Sequence, residues 1–258
     1  MLRVKRFENS AEGTKLEKLL QEASLKIAPD KNIAGYIFKD VASAEMFLAD
    51  KIGHTKTFYL LLGGTPALIL PAIKNNLEQT TLIACIDEFE QYTNAKDVAL
   101  AFTAAHEMGH VHDEELYSIA NDLAKKYDNS FMQAAPTALS PYESSAGEII
   151  INTVLECRAD KRAIDAGYGK EYIDFLEKIS PEMFSPHLIF TFKMLEDAGY
   201  VAQAKELQKK FWSSTKQQFK PDLVEKIYAA GAHLDNEELA KVLLSYVEST
   251  HVSQANAP

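Results

Sequence analysis

The sequence predicts an α+β fold that becomes all-helical toward its C-terminal end. Three observations carry that expectation. Between about residues 33 and 87, short runs rich in β-branched and aromatic residues are punctuated by Gly and Pro, the texture of a small sheet. From about Lys96 onward, good helix formers at helical spacing replace them. Hydrophobic residues make up 47% and charged residues 25% of the 258, enough apolar material for a sizeable core. That balance excludes collagen-like, disordered and disulfide-scaffold chains.

The elements follow in order. Thr14 to Ile27 places leucines and alanines at helical spacing among charges, a first amphipathic helix. Ile33 to Lys39, Thr57 to Leu62 and Ala67 to Leu70 read as strands, with Gly63-Gly64 as a hairpin turn. Ala42 to Ile52 is a short helix between them, and Thr80 to Asp87 is one more strand. Asp97 to Lys126 contains no proline and forms one long helix, or two joined near Gly109. Asn129 to Ser145 holds Pro136 and Pro141 among small residues and is a loop. Ala146 to Ala166 is a second helix, ended by Gly167 and Gly169. Beyond Pro181, helical stretches are separated by Gly199, Pro221 and Gly231. The expected organisation is a sheet-containing domain over 1–180, a helical region over 181–251 and a disordered tail over 252–258.

Charge and cysteine usage narrow the function. With 27 Lys+Arg against 37 Asp+Glu the formal charge is −10, and the basic residues are scattered. Nucleic acid is therefore not expected as a partner, because phosphate binding needs a basic patch. Cys85 and Cys157 are too few for a disulfide framework, which favours a reducing compartment. The basic residues near Met1 are not followed by the apolar run of a secretory signal. The longest apolar stretch, Phe58 to Ile73, is interrupted by Gly63, Gly64, Pro66 and Pro71, too short and broken to span a bilayer. A cytoplasmic protein without an integral membrane segment is expected; the oligomeric state is left open.

The chemistry concentrates in His106-Glu107-Met108-Gly109-His110 on the first long helix. Residues four apart on an α-helix differ by about 40° in direction and about 6 Å in height, so two imidazoles converge on one ion. Glu107 lies one step round, where its carboxylate reaches a water on that ion rather than the ion itself. Two neutral nitrogens with a base beside an open position are what metal-assisted hydrolysis requires. Alone the pattern is not decisive: roughly one or two chains per hundred of this composition would match by chance. A third ligand is needed.

The metzincin extension would place Gly at 113 and His at 116, but the chain has Asp113 and Leu116, which excludes that class. The next helix offers Glu156 and Asp160, again four apart. Glu156 can complete a His₂Glu site, and Asp160 can accept a hydrogen bond from the second nitrogen of a ligand imidazole. The competing reading is an exposed acidic pair amid Arg158, Lys161 and Arg162.

The run from Glu156 to Tyr168, Glu-Cys-Arg-Ala-Asp-Lys-Arg-Ala-Ile-Asp-Ala-Gly-Tyr, following the His106–His110 motif, resembles the gluzincin metallopeptidases. It is most similar to the group containing the HtpX heat-shock protease and the CAAX prenyl proteases, over roughly Thr80 to Leu176. The resemblance implies a zincin-like core: a small mixed sheet, an active-site helix and a Glu-ligand helix. It implies one zinc ion per chain on His106, His110 and Glu156, with Glu107 as base and Asp160 as partner to a ligand imidazole. It also implies that Thr81, Leu82, Ile83, Ala84, Cys85 and Ile86 form the sheet edge that pairs with an extended peptide substrate. Gluzincins further use a donor, usually downstream of the third ligand, to stabilise the oxyanion; His187 is the first candidate, and Tyr142, in the loop between the two motif helices, the second.

Other residues carry blander readings. His112 is six residues from His106, about 240° round the helix, and is expected to pack or face solvent. Cys157 points about 100° from Glu156 and is expected to be buried, Glu148 to be solvated, and Phe211 and Trp212 to be core. The sequence thus reads as a zinc-dependent endopeptidase acting on a protein or peptide. The alternative is a catalytically silent zinc-binding module of the same fold acting in protein–protein interaction.

Overall fold

The N-terminal residues Leu2-Arg3-Val4-Lys5-Arg6 alternate apolar and basic, and in the computed structural model they form β1 (Leu2–Arg6). The structure describes residues 1–52, 67–70, 79–93, 97–113, 146–179 and 188–215, a mixed α+β chain with more helix than strand. β1 has the period of two of a strand, an element the sequence reading, which weighed these residues only as a secretory signal and rejected that, did not include. Ser10 accepts a hydrogen bond from the Gly13 amide at 3.0 Å and starts α1 (Ala11–Ile27) three residues before Thr14. Leu16, Leu20 and Ala23 form its buried stripe.

β2 (Ile33–Phe38) lies parallel to β1, with α1 as the crossover that parallel strands require. Gly35 lets β1 and β2 lie close, since a Cβ would meet Leu2 Cδ1 at 3.0 Å and Val4 Cγ2 at 3.2 Å and those side chains would have to shift. Asp40 caps α2 (Val41–Ile52), its Oδ1 accepting from the Ser43 amide at 2.8 Å. β3 (Ala67–Leu70) and β4 (Thr80–Cys85) complete a four-stranded sheet of order β1-β2-β4-β3. β1, β2 and β4 are parallel and β3 is antiparallel, with Leu2 opposite Ile33, Ile33 opposite Thr80 and Ala67 opposite Ala84. Phe38, Ile83 and Cys85 pack against Ala44 and Leu48 of α2.

The expected substrate edge over Thr81, Leu82, Ile83, Ala84, Cys85 and Ile86 is corrected by this topology. β4 is internal, with Thr81 to Ala84 paired to β2 on one side and to β3 on the other. All six of its residues are buried, as in a strand covered on both faces. Ile86 is not in the strand but opens α3 (Ile86–Thr93), a helix the sequence reading did not anticipate. Among the described residues, the strand at that border of the sheet is β3.

α4 (Asp97–Gly109) packs against α1 and β3 and gives way at His110 to a 3₁₀ turn, His110–Asp113. Of the two expectations for Asp97 to Lys126, the break near Gly109 is the one observed; residues 114–126 lie outside the described set. α5 (Ala146–Ala163) runs into a π-helical turn, Ile164–Tyr168, where Gly167 adopts φ 94° and ends the helix where the sequence placed its stop. α6 (Gly169–Leu176) follows and packs on α4. α7 (Leu188–Asp197) and α8 (Val201–Thr215) are divided at Gly199, also with φ 94°. They pack together partly through Phe192 and Phe211, ring centroids 5.9 Å apart, and Phe211 is fully buried as expected.

The chain divides into two compact units. One comprises Met1–His112 and Arg162–Ile179 with 133–137, and holds the sheet, α1 to α4 and α6. The other comprises Asp113–Met132, Ala138–Lys161 and Ser180–Pro258, and holds most of α5 with α7 and α8. This division groups Ala138–Lys161 with the residues after 180, where the sequence reading had a single domain over 1–180. Several expectations fall outside the described residues: the strand over 57–62, the Gly63-Gly64 turn, the loop over 129–145 and the tail over 252–258. Tyr142 and His187, and the side chains of Glu148 and Trp212, are outside them too. Among the described residues, no helix is long and apolar enough to cross a membrane.

Candidate metal centre

α4 brings the motif into position through its buried face, which includes Ala99, Phe102, Thr103 and Glu107. Phe102 stacks on Tyr172 of α6 with centroids 3.7 Å apart and planes at 8°, and lies 6.1 Å from Phe175. One helical turn on, the half-buried His106 ring sits 6.0 Å from Phe102. An aromatic stack therefore backs the first histidine, limiting its rotamers by packing. His110 is buried and is the first residue of the 3₁₀ turn. The two rings stand almost perpendicular, at 85° with centroids 4.9 Å apart, and their Nε2 atoms are 3.3 Å from each other.

That separation can be set against what zinc demands. Two nitrogens each about 2.0–2.1 Å from a tetrahedral ion lie about 3.3–3.4 Å apart, which the two Nε2 atoms match. His106, His110 and Glu156 each offer a ligand atom, and the three atoms all lie within 4.8 Å of one another. Two imidazoles and a carboxylate are a donor set suited to zinc with a position left open. The residues present thus fit the group that the sequence motif implies. Glu107 is buried at 9% exposure, next in sequence to His106.

The surrounding polar groups are specific. Asp160, with 0% exposure, accepts a hydrogen bond from Thr191 Oγ1 of α7 at 2.6 Å. Arg162 Nη1 donates to the Gly109 carbonyl at 2.6 Å, at the point where α4 stops. Arg158 Nε lies 3.6 Å from Asp113 Oδ1, at the far end of the 3₁₀ turn. His112 points away from the motif, with Nε2–H donating to the Ile27 carbonyl at the end of α1 at 2.8 Å, which is the packing role expected of it. Cys157 is buried as expected, and burial, then Asp160 and Glu156, push its thiol well above its usual range. Burial likewise pushes Cys85 up to about 12. Both shifts run opposite to the lowering that marks a reactive thiol.

Thr191 and the hydrogen-bonding role of Arg162 were not found from sequence. Thr191 sits on a helix with no motif of its own, and only the fold brings it to Asp160. Arg162 read as one of several solvated charges near Glu156, and the carbonyl it meets leaves no mark in a sequence pattern. Compared with protein-family models, with curated proteins and with solved structures, the chain matches none of them.

Proposed function

We propose that the chain is a zinc-dependent endopeptidase of gluzincin type, with a zincin-like core, that hydrolyses peptide bonds of protein or peptide substrates. The observation that carries this reading is the donor set of His106, His110 and Glu156, with the two Nε2 atoms 3.3 Å apart. Zinc bound there would supply a Lewis acid that polarises the scissile carbonyl and makes water acidic near neutral pH. Glu107 takes the proton of the attacking water and returns it to the leaving amine, so the side chain ends as it began. A carboxylate at 9% exposure costs desolvation that an apolar residue would avoid, which supports a working role for Glu107. Among the described residues β3 is the strand at the sheet border that packs against α4, so it, rather than β4, is the proposed seat of an extended peptide. His187 and Tyr142 remain the candidates for oxyanion stabilisation.

Glu107→Gln tests the reading, because it keeps the shape and removes the proton acceptor. Zinc content, melting temperature and cleavage of a diverse peptide library, with a chelator control, are measured on one preparation. The variant is expected to bind zinc and melt like the parent while losing at least about 10²–10⁴ in rate. A zinc-loaded, fully active variant would end the mechanism. A zinc-loaded parent that cleaves nothing would favour the silent binding module.

A further inference from the structure

The α-helix that carries the motif ends one residue too early to hold both histidines. α4 stops at Gly109, and His110 belongs to the 3₁₀ turn that follows. A helix end leaves its last carbonyls without intrahelical partners. In a continuing α-helix the Gly109 carbonyl would accept from the amide four residues on. In the 3₁₀ turn that begins at His110 the amide three residues on, that of His112, takes that place, and the carbonyl's second lone pair accepts from Arg162 Nη1 at 2.6 Å in a part-buried setting. A residue in a 3₁₀ turn advances about 120° about the axis, against about 100° in an α-helix. The direction of the His110 ring therefore depends on where the change of winding occurs.

We infer that Arg162 is a positioning residue for His110: by holding the Gly109 carbonyl it fixes the switch from α to 3₁₀ winding, and so the place of the second metal-ligating nitrogen. This rests on the zinc reading above. A second contact acts on the same turn, since Arg158, four residues earlier on α5, reaches the buried Asp113 at its other end. Both arginines come from the helix that also carries Glu156. A guanidinium suits the task because its donors project in a fixed plane, whereas an ammonium on a flexible stem would bind the carbonyl without fixing its direction.

The test uses the full chain as parent, Arg162→Met and Arg162→Lys. Zinc affinity is measured by competition with a chromophoric chelator, and the imidazole ¹H–¹⁵N correlations of His106 and His110 are recorded on metal-free protein. Arg162→Met is expected to weaken zinc binding by about 10–100-fold, the range for residues that orient ligands without touching the ion. The His110 resonances should move most, and those of His106 less, since its ring is held by Phe102 and only its Nε2 faces His110. Arg162→Lys should fall between parent and Met. A merely structural arginine would lower the melting temperature and leave zinc affinity and the His110 resonances at parent values, and that result overturns the inference. If Arg162→Met does not fold, Arg162→Lys decides by the same two readings. A parent with no zinc affinity would overturn the metal reading instead, and the positioning role is then judged by the resonances alone.

Discussion

Two pairs of residues four apart frame the candidate site, and the same spacing produces different outcomes. His106 and His110 straddle a change of winding, with one ring half-buried against Phe102 and the other buried on a 3₁₀ turn. Glu156 and Asp160 lie within the uninterrupted α5, one half-buried among the candidate ligands and the other with 0% exposure against Thr191. In the acidic pair the helix itself fixes relative direction, and neighbours only decide what each carboxylate meets. In the histidine pair the backbone is not a single helix, and the Arg162 guanidinium bonds the carbonyl at the junction. Spacing predicts convergence only as far as the winding persists.

The largest effects should come from removing one candidate ligand from each pair. His106→Ala and Glu156→Ala are each expected to lose stoichiometric zinc. The parent should gain stability with zinc, about 4 kcal/mol at a thousand times the dissociation constant, because the unfolded chain binds the ion poorly. Neither variant should show that gain. Metal analysis and melting with and without zinc check both, and stoichiometric zinc at parent affinity in either would break the ligand set. A loss in His106→Ala alone would sharpen the comparison differently, by demoting Glu156 to the exposed acidic pair it could have been.

The buried half of the acidic pair comes next. Asp160→Asn should retain zinc but bind it about 10–100-fold more weakly, through loss of orientation of a ligand. Thr191→Val leaves the Asp160 carboxylate short of one buried donor, at a cost of about 1–3 kcal/mol in stability. Thr191→Ser should recover most of that, since it keeps the hydroxyl. Urea unfolding and zinc titration on the same three variants separate the two effects. Unchanged zinc affinity in Asp160→Asn would make Asp160 a structural carboxylate, held by Thr191 for the fold alone.

Much of the fold was legible because its signals are local. β2, β3, β4, α1, α2 and the glycine stop at Gly167 follow from apolar periodicity, β-branched runs and glycine punctuation. β1 is only five residues of alternating apolar and basic side chains, too short to stand out, and α3 follows β4 too closely for a break to show. The strand order was not legible, because a four-residue run does not state its neighbours; β4 was taken for an edge when its unbroken burial marked it as internal. In the site, His106, His110, Glu107 and Glu156 came from spacing and resemblance. The hydrogen bonds from Thr191 and Arg162 are tertiary, and nothing at their positions distinguishes them from other hydroxyls and charges.

The smallest expected effect is a control remote in sequence from both pairs. Asp40 caps α2 through the Ser43 amide, and that bond, then one from the Ser43 hydroxyl, holds its carboxyl below the usual range. A carboxylate whose folded pKa is lowered stabilises the fold above its ordinary value, about 3.9, and loses that contribution as pH falls through the lowered one. Asp40→Ala should cost about 1 kcal/mol at neutral pH, the usual worth of a helix cap. Asp40→Asn should keep most of the cap, since its side-chain oxygen still accepts, but without the acid dependence. Urea midpoints at neutral and acid pH check the sign. Zinc affinity should equal the parent's in both variants, because a uniformly destabilised chain still presents the same ligands once folded. If Asp40→Ala weakened zinc as much as Asp160→Asn does, the weakening would report global stability, and the distinction between the two motif pairs would lose its meaning.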